Sequence, residues 1–183
     1  TCIKSDIPQL SYLERVTFED EDQFTIEELE QIYDLQVARQ KSLSNGSIIR
    51  VAELSIDGGK PIIAGYVYFH KETTTKRGIR NLNIEIQSIA VDPIYRRNSV
   101  GRRLIESIFS LGDFFKSKTS DYNVTAAVPE QALGAQLFFK AMGFTCTQII
   151  DPTDSEDIAL YQFELKPSPQ PVKAGRSNAR KDR

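Results

Sequence analysis

A single histidine, two cysteines and no long apolar run define what this 183-residue chain does without. Cys2 and Cys146 cannot build a disulfide framework, and no Cys/His cluster suggests a metal. A reducing, cytoplasmic setting fits that cysteine usage. Ser-His-Asp or Cys-His chemistry would have to run through His70, which closes an alternating run ahead of a threonine-rich turn and reads as a strand residue. No apolar stretch approaches the ~20 residues a membrane span needs, so no membrane is expected. No secretory signal is legible, and the chain opens on Thr1 without a methionine, as a trimmed start would. A formal net charge of −2 gives no global field to draw nucleic acid.

What is present is enough for one core. With 40% hydrophobic and 26% charged residues, the chain is expected to form one domain over residues 1–166, followed by a tail over 167–183. From Lys166 onward the charges are Lys166, Lys173, Arg176, Arg180, Lys181 and Arg183 against Asp182, so the body before them is acidic. Pro167, Pro169 and Pro171 punctuate a stretch with little to bury, which predicts a disordered, solubilising tail. Its sparse cations lack interleaved aromatics, so specific nucleic-acid binding is not expected.

Periodicity and turn chemistry supply the elements. Asp6-Ile7-Pro8 with Leu10 and Leu13 suggests a short first helix. Thr25 and Glu28 read as a capping box opening a helix to about Leu43, stopped by Asn45-Gly46. Ser47–Ile56 and Pro61–Phe69 flank Asp57-Gly58, a hairpin signal, and a turn over Thr73–Gly78 leads to a strand from Ile79 to Val91. Val100, Leu104, Ile105, Ile108, Leu111 and Phe115 then recur at helical spacing, predicting a helix from Ser99 to Lys116. A strand at Tyr122–Val128, a helix at Gln131–Met142 ended by Gly143, and strands at Phe144–Ile150 and Ile158–Leu165 complete the chain. The predicted order is αα-βββ-α-β-α-ββ, a mixed sheet with helices on both faces.

The stretch from Ile89 to Leu104 carries the chemistry. A buried strand ends at Pro93, makes a tight basic turn and enters a helix. A helix start has N–H groups without intrahelical partners, and the positive end of its dipole points the same way. Successive turn amides form an anion site, which Arg96, Arg97, Arg102 and Arg103 surround with charge, and Gly101 leaves the backbone approachable. The arrangement suits a pyrophosphate. Neither a Gly-Lys-Ser/Thr nor a G-x-G-x-x-G spacing is present, which excludes a Walker loop and a dinucleotide fingerprint.

This segment resembles the acetyl-CoA motif of the GNAT (GCN5-related N-acetyltransferase) superfamily, V-x-P-x-x-R/Q-R/G-x-G-x-G/A-x-x-L. Val91, Pro93, Arg96, Gly101 and Leu104 match it, while Ser99 stands where the first glycine is usual and offers itself as a helix N-cap. A later block, Glu130 to Phe144, resembles the family's E-x-N-x-x-A-x-x-F/L-Y-x-x-x-G-F, with Ala135, Phe138, Gly143 and Phe144 in register. The region from Leu13 to Leu29 is weakly similar to ribosomal-protein N-terminal alanine acetyltransferases. The resemblance, over about Ile7 to Leu165, implies an α+β acyl-CoA N-acyltransferase fold whose mostly antiparallel sheet splays into a V. It implies acetyl-CoA as co-substrate, with no metal. Ile89, Ala90 and Val91 would offer backbone groups to the pantetheine arm. The turn of Arg96, Arg97, Asn98, Ser99, Val100, Gly101 and Arg102 would hold the pyrophosphate, and Ala135, Phe138 and Phe139 would flank the cofactor.

The resemblance also sets out catalytic expectations. Glu85 lies four residues before Ile89, where histone-acetyltransferase-like members carry a general base, and period two puts the pair on one face unless a bulge intervenes. Ile84 and Ile86 would desolvate it and raise its pKa; a plain solvent-facing strand glutamate is the other reading. The family's proton-donating tyrosine is Phe139 here, its N-terminal-alanine-type glutamate is Ala127, and its asparagine is Ala132. Tyr122 or Tyr161 could substitute as proton donor, or each could be a packed strand residue; Tyr161 is carried forward as the candidate acid. Acidic residues at Glu19-Asp20-Glu21-Asp22, Glu27, Glu28 and Glu30 would draw a cationic acceptor, a protein N-terminus or a lysine, or would simply complement a helix N-terminus. The function expected is N-acetylation of a protein or peptide amine by a monomer or homodimer. A non-catalytic acyl-CoA-binding module and a small-molecule amine acetyltransferase are the alternatives.

Overall fold

The computed structural model describes residues 2–19, 23–39, 45–55, 59, 61–76, 78–110, 120–150 and 160–165. The Asp57-Gly58 turn, Leu111, Phe115, most of the acidic run at Asp20–Asp22 and the basic tail lie outside the described residues.

Two helices come first, α1 (Ile7–Thr17) and α2 (Ile26–Arg39), then three strands, β1 (Gly46–Leu54), β2 (Ile62–Lys76) and β3 (Ile79–Val91). Helix α3 (Val100–Phe109), strand β4 (Ser120–Pro129), helix α4 (Leu133–Ala141) and strands β5 (Thr145–Ile150) and β6 (Leu160–Leu165) follow. The predicted order holds throughout. Its local signals hold as well. Thr25 Oγ1 accepts from the Glu28 amide at 3.2 Å while Glu28 Oε2 accepts from the Thr25 amide at 2.8 Å, a complete capping box. Gly143 takes φ +90°, and the Phe144 and Gly143 amides donate back to the Phe139 and Lys140 carbonyls at 3.0 Å each, closing α4.

Two boundaries differ most: α3 closes at Phe109, with Ser110 as its C-cap, rather than at Lys116. β2 does not stop near Phe69; it continues to Lys76, and the turn shrinks to the residues around Gly78, at φ +79°. Thr73, Thr74 and Thr75 pair with Leu82, Asn81 and Arg80. Threonine is a turn residue only where its hydroxyl competes for the backbone, and β-branching otherwise favours the pleat.

The six strands lie in the order β1-β2-β3-β4-β6-β5, all antiparallel neighbours except β3 and β4, which run parallel. Helices α1 and α2 cover one face, where Leu10, Leu13 and Leu29 pack with Ile49, Ile63, Tyr66 and Ala90. Helices α3 and α4 cover the other, where Leu104, Ile105, Ile108 and Phe139 pack with Val67, Phe69, Leu82, Ile84, Val124 and Phe163. Each such fully buried aliphatic side chain stabilises the fold by roughly 1.5–3 kcal/mol. Gly65 lets α3 settle: a Cβ there would lie 2.6 Å from the Ala90 carbonyl and 3.3 Å from both Leu104 and Val100. Cys2 belongs to the α1/α2 core, where burial pushes its thiol up to about 12, so it is inert at neutral pH. Among the described residues no helix is long and apolar enough to cross a membrane.

Candidate active site at a split in the sheet

Strands β3 and β4 pair from Arg80/Ser120 to Ile86/Ala126 and then part. β3 runs on through Ile89, Ala90 and Val91, while β4 turns its remaining residues, Ala127 to Pro129, toward β6. The cause is local. Tyr68 pairs with Ser88 and Phe69 with Ile86, so Gln87 is an extra residue, a bulge at the point of separation. The N–H and C=O groups of β3 beyond it that face away from β2 line a slot between the two strands, where an extended ligand can pair as a strand would.

The slot leads to the basic turn. Asp92 caps it by accepting from the Ile94 amide at 2.9 Å, and the Tyr95 amide donates to the Asp92 carbonyl at 2.8 Å. Arg97 and Ser99 then adopt left-handed conformations, φ +64° and +61°, on either side of Asn98. Alternation of this kind turns successive amides to one side as a concave anion site. Helix α3 begins directly after, with the Arg103 amide on the Ser99 carbonyl at 3.0 Å, so its earlier amides lack intrahelical acceptors. Ser99 occupies the N-cap position, yet its side chain makes no cap bond. The expected serine cap is therefore absent, because a left-handed residue does not present its hydroxyl as an extended N-cap does.

Other expected cofactor residues fall around this turn in different roles. The Arg96 guanidinium folds back, Nε donating to the Val91 carbonyl at 3.0 Å, so it braces the strand end. Arg97, Asn98 and Arg102 are exposed, and Val100 is buried beneath the turn. Gly101 is bounded by α4: a Cβ there would stand 3.1 Å from the Phe138 ring and 3.8 Å from Val91. The glycine thus admits Phe138 between α3 and α4, a packing reason beside the one expected from ligand approach. Ala135 and Phe138 are half-buried on that side of α4. Phe139 points into the core, 3% exposed, stacked on Phe163 at 5.9 Å and edge-on to Phe144 at 5.1 Å and Phe138 at 5.4 Å.

Glu85 lies on the opposite face from Ile89. The bulge at Gln87 resets the alternation, so Ile84, Ile86 and Ile89 face α3 and α4, while Glu85, Ser88 and Ala90 face the α1/α2 side. Glu85 is solvent-exposed, and its isoleucine neighbours point away from it; the desolvating environment expected for it is not there. It sits in a row that crosses the sheet, His70 to Glu85 to Thr125 to Glu164, all on that face. Tyr161 on β6 pairs with Val128 of β4, past the last β3–β4 pair, and packs against the α3/α4 core. Tyr122 pairs with Leu82, four positions before the last β3–β4 pair, with its ring on Phe109 at 6.1 Å. Of the two, only Tyr161 is level with the parted stretch, one strand beyond β4. Ala127 faces the same side as Glu85 and is exposed.

Three residues near the split were not legible as a site. Glu14 on α1 is 1% exposed and accepts from the Tyr66 hydroxyl and from the Phe24 amide, the latter at 2.6 Å. Ser88 Oγ lies 3.0 Å from the Tyr66 hydroxyl and 3.4 Å from Glu14. Burial drives the Glu14 carboxyl above the usual carboxylate range, partly offset by these donors. The signal available was a glutamate beside Leu10 and Leu13 on the apolar side of α1.

A slot between parting strands that ends at an anion-binding turn is the geometry expected of an acyl-CoA transferase. Residues 10–144 match the acetyltransferase (GNAT) family, and the chain belongs to it. It is an acetyl-CoA-dependent N-acetyltransferase, with acetyl-CoA as co-substrate. No curated protein matches it at the sequence level. Among solved structures it is similar to Arabidopsis thaliana NAA60 in complex with acetyl-CoA, at TM-score 0.67 and 15% identity over 88% of this chain and 93% of that one. It is also similar to the ribosomal-protein-S18-alanine N-acetyltransferase from Escherichia coli, at TM-score 0.57 and 16% identity over 94% and 96%. Chaetomium thermophilum Naa20 in complex with a bisubstrate analogue matches at TM-score 0.59 and 20% identity over 90% and 84%. At these identities the likeness establishes the fold. Among the described residues no group of three or more His, Cys, Asp or Glu could hold a metal ion.

Proposed function

We propose that the chain acetylates a primary amine of a protein or peptide, with the amine entering the split from the α1/α2 side. The observation that carries this reading is the placement of Glu85 on the face opposite α3, the helix that the basic turn opens. A thioester lying in the slot is then reached from two sides, the diphosphate held by amides on one and the cationic amine met by a carboxylate on the other. Glu85 takes a proton from the ammonium; the amine nitrogen bonds to the acetyl carbon as the carbon–sulfur bond breaks. Tyr161, on the cofactor side, supplies a proton to the departing sulfur, and the second proton shed by the new amide nitrogen restores the tyrosine hydroxyl through solvent. Backbone groups of Ile89, Ala90 and Val91 pair with the pantetheine arm. The amides from Arg97 to Arg102 hold the diphosphate, and Ala135 and Phe138 wall it from α4. Phe139 backs that wall through Phe138.

Thiol release from acetyl-CoA, measured over peptides with free N-termini, N-blocked lysine peptides and polyamines, tests the reading. Peptide amines are expected to accelerate release more than polyamines. Glu85→Gln is expected to lower kcat by about 10²–10⁴-fold while leaving acetyl-CoA affinity unchanged. The apolar residues at Phe139 and Ala127 favour a second reading, an acyl-CoA-binding module without turnover. Tight CoA binding with no release on any amine would establish that one instead.

A further inference from the structure

Glu14 has no step in the chemistry above, and a leucine would pack better against Leu10 and Leu13. A buried carboxylate is costly unless donors surround it. Here three do, and each comes from a different part of the chain. The Tyr66 hydroxyl belongs to the middle of β2 and the Phe24 amide, at 2.6 Å, to the end of the connection between α1 and α2. The Ser88 hydroxyl, at 3.4 Å, belongs to β3 one residue past the bulge. The carboxylate therefore ties the α1–α2 connection to the spot where β3 leaves β4.

The described end of that connection, from Gln23 to Thr25, lies on the α1/α2 face beside the bulge. The Phe24 ring meets Tyr68 edge-on at 5.7 Å, and Tyr68 is the register partner of Ser88. The same segment is braced internally, Gln23 Nε2 donating to the Phe18 carbonyl at 3.0 Å and Thr25 closing the cap of α2. Among the described residues, the Phe24 main chain is tied to Glu14 on α1, and through it to Tyr66 and Ser88 of the sheet. On the proposed reading the cofactor is held from the α3/α4 side, so an acceptor approaching from the other face passes this segment.

We infer that Glu14 is a positioning residue for the acceptor: its carboxylate clamps the Gln23–Thr25 segment ahead of α2 onto the sheet at the split and so sets one wall of the mouth through which the amine arrives. The inference rests on reading that mouth as the amine side.

Glu14→Gln keeps the volume but loses the charge: its amide can still accept from the Phe24 amide and donate to the hydroxyl pair, but only through weaker, uncharged hydrogen bonds. Two measurements follow. In hydrogen exchange, the Phe24 amide is expected to exchange about tenfold faster than in the unmodified chain, as loss of a charge-assisted hydrogen bond implies. In steady-state kinetics with the best peptide of the panel, acceptor KM is expected to rise about tenfold while the KM for acetyl-CoA stays within about twofold. A purely structural role would lower the active fraction, and hence kcat, without this split. Should Glu14→Gln fail to fold, Ser88→Ala removes one donor and leaves the carboxylate; a rise of about threefold in acceptor KM is then expected. Unchanged Phe24 exchange, or unchanged acceptor KM in a folded variant, overturns the inference. If the unmodified chain turns over no amine, the acceptor reading fails, and the clamp stands or falls on Phe24 exchange alone.

Discussion

On the α3 side of the split, the groups that would meet a diphosphate belong to the main chain, the amides from Arg97 to Arg102 arranged by two left-handed residues and a helix start. On the α1/α2 side, the groups that would meet an amine are side chains: Glu85 and Thr125 in one row with Glu164, and Glu14 behind them. A main-chain site tolerates many side chains but needs particular backbone angles, whereas a side-chain site tolerates many backbones but needs particular atoms. The two sides should therefore fail differently when altered.

The largest effect is expected where both sides share a support. Gly65→Ala places a Cβ 2.6 Å from the Ala90 carbonyl, and main chain cannot swing aside as a side-chain tip can. A loss of roughly 1–3 kcal/mol is expected, read as a lower denaturation midpoint together with weaker acetyl-CoA binding. Next comes Phe139→Tyr. The ring is 3% exposed between Phe144 and Phe163, so an added hydroxyl is buried among aromatics; about 1–3 kcal/mol of stability should be lost. A gain in turnover from that substitution would show that the position reaches the departing sulfur after all.

Ser99→Gly sharpens the contrast in the other direction. At φ +61° a serine is strained by about 1 kcal/mol relative to glycine, and its side chain makes no compensating cap bond. The variant is expected to be more stable by about that amount and to hold acetyl-CoA more tightly, with acceptor KM unmoved; a shift in acceptor KM would erase the division between the two sides.

The smallest effects should appear in the pH dependence of stability, with opposite signs at two glutamates of the α1/α2 side. Thr25's amide and hydroxyl hold Glu28 below its usual value of 4.5, so its contribution is present above that value and lost as pH falls through the lowered one. Burial raises Glu14 from 4.5, so its proton-linked contribution is present below 4.5 and lost as pH rises through the raised value. In melting curves across pH, the deficit of Glu28→Gln should shrink on acidification, and that of Glu14→Gln should shrink as pH rises. Parallel trends would show that Glu14 is not desolvated in solution.

The same division explains what could be read from the residues alone. Pro93, Gly101 and Leu104 mark a strand, a turn and a helix start, each fixed by neighbours within a few positions, so the basic strand–turn–helix was legible in one dimension. So were the Thr25–Glu28 cap and the Gly143 terminus. Ser99 as a side-chain cap was misread because its residue type suits an N-cap while the turn demands a left-handed angle. The face of Glu85 depended on one inserted residue, which no periodicity count over so short a strand can place. Glu14, Tyr66 and Ser88 are separated by 52 and 22 positions along the chain and meet only through tertiary packing. Their sequence trace was limited to a glutamate on an apolar helix side.

Gln87 itself has a further consequence. Ile86 and Ser88 already point to opposite faces, so excising Gln87 would leave each remaining side chain where it is and turn an interrupted ladder into a regular one. Nothing in the core would object to the shorter chain. The parting of the strands is thus held open by a one-residue wedge, and a deletion that packing could not detect is expected to let the sheet zip shut over the slot proposed for the thioester.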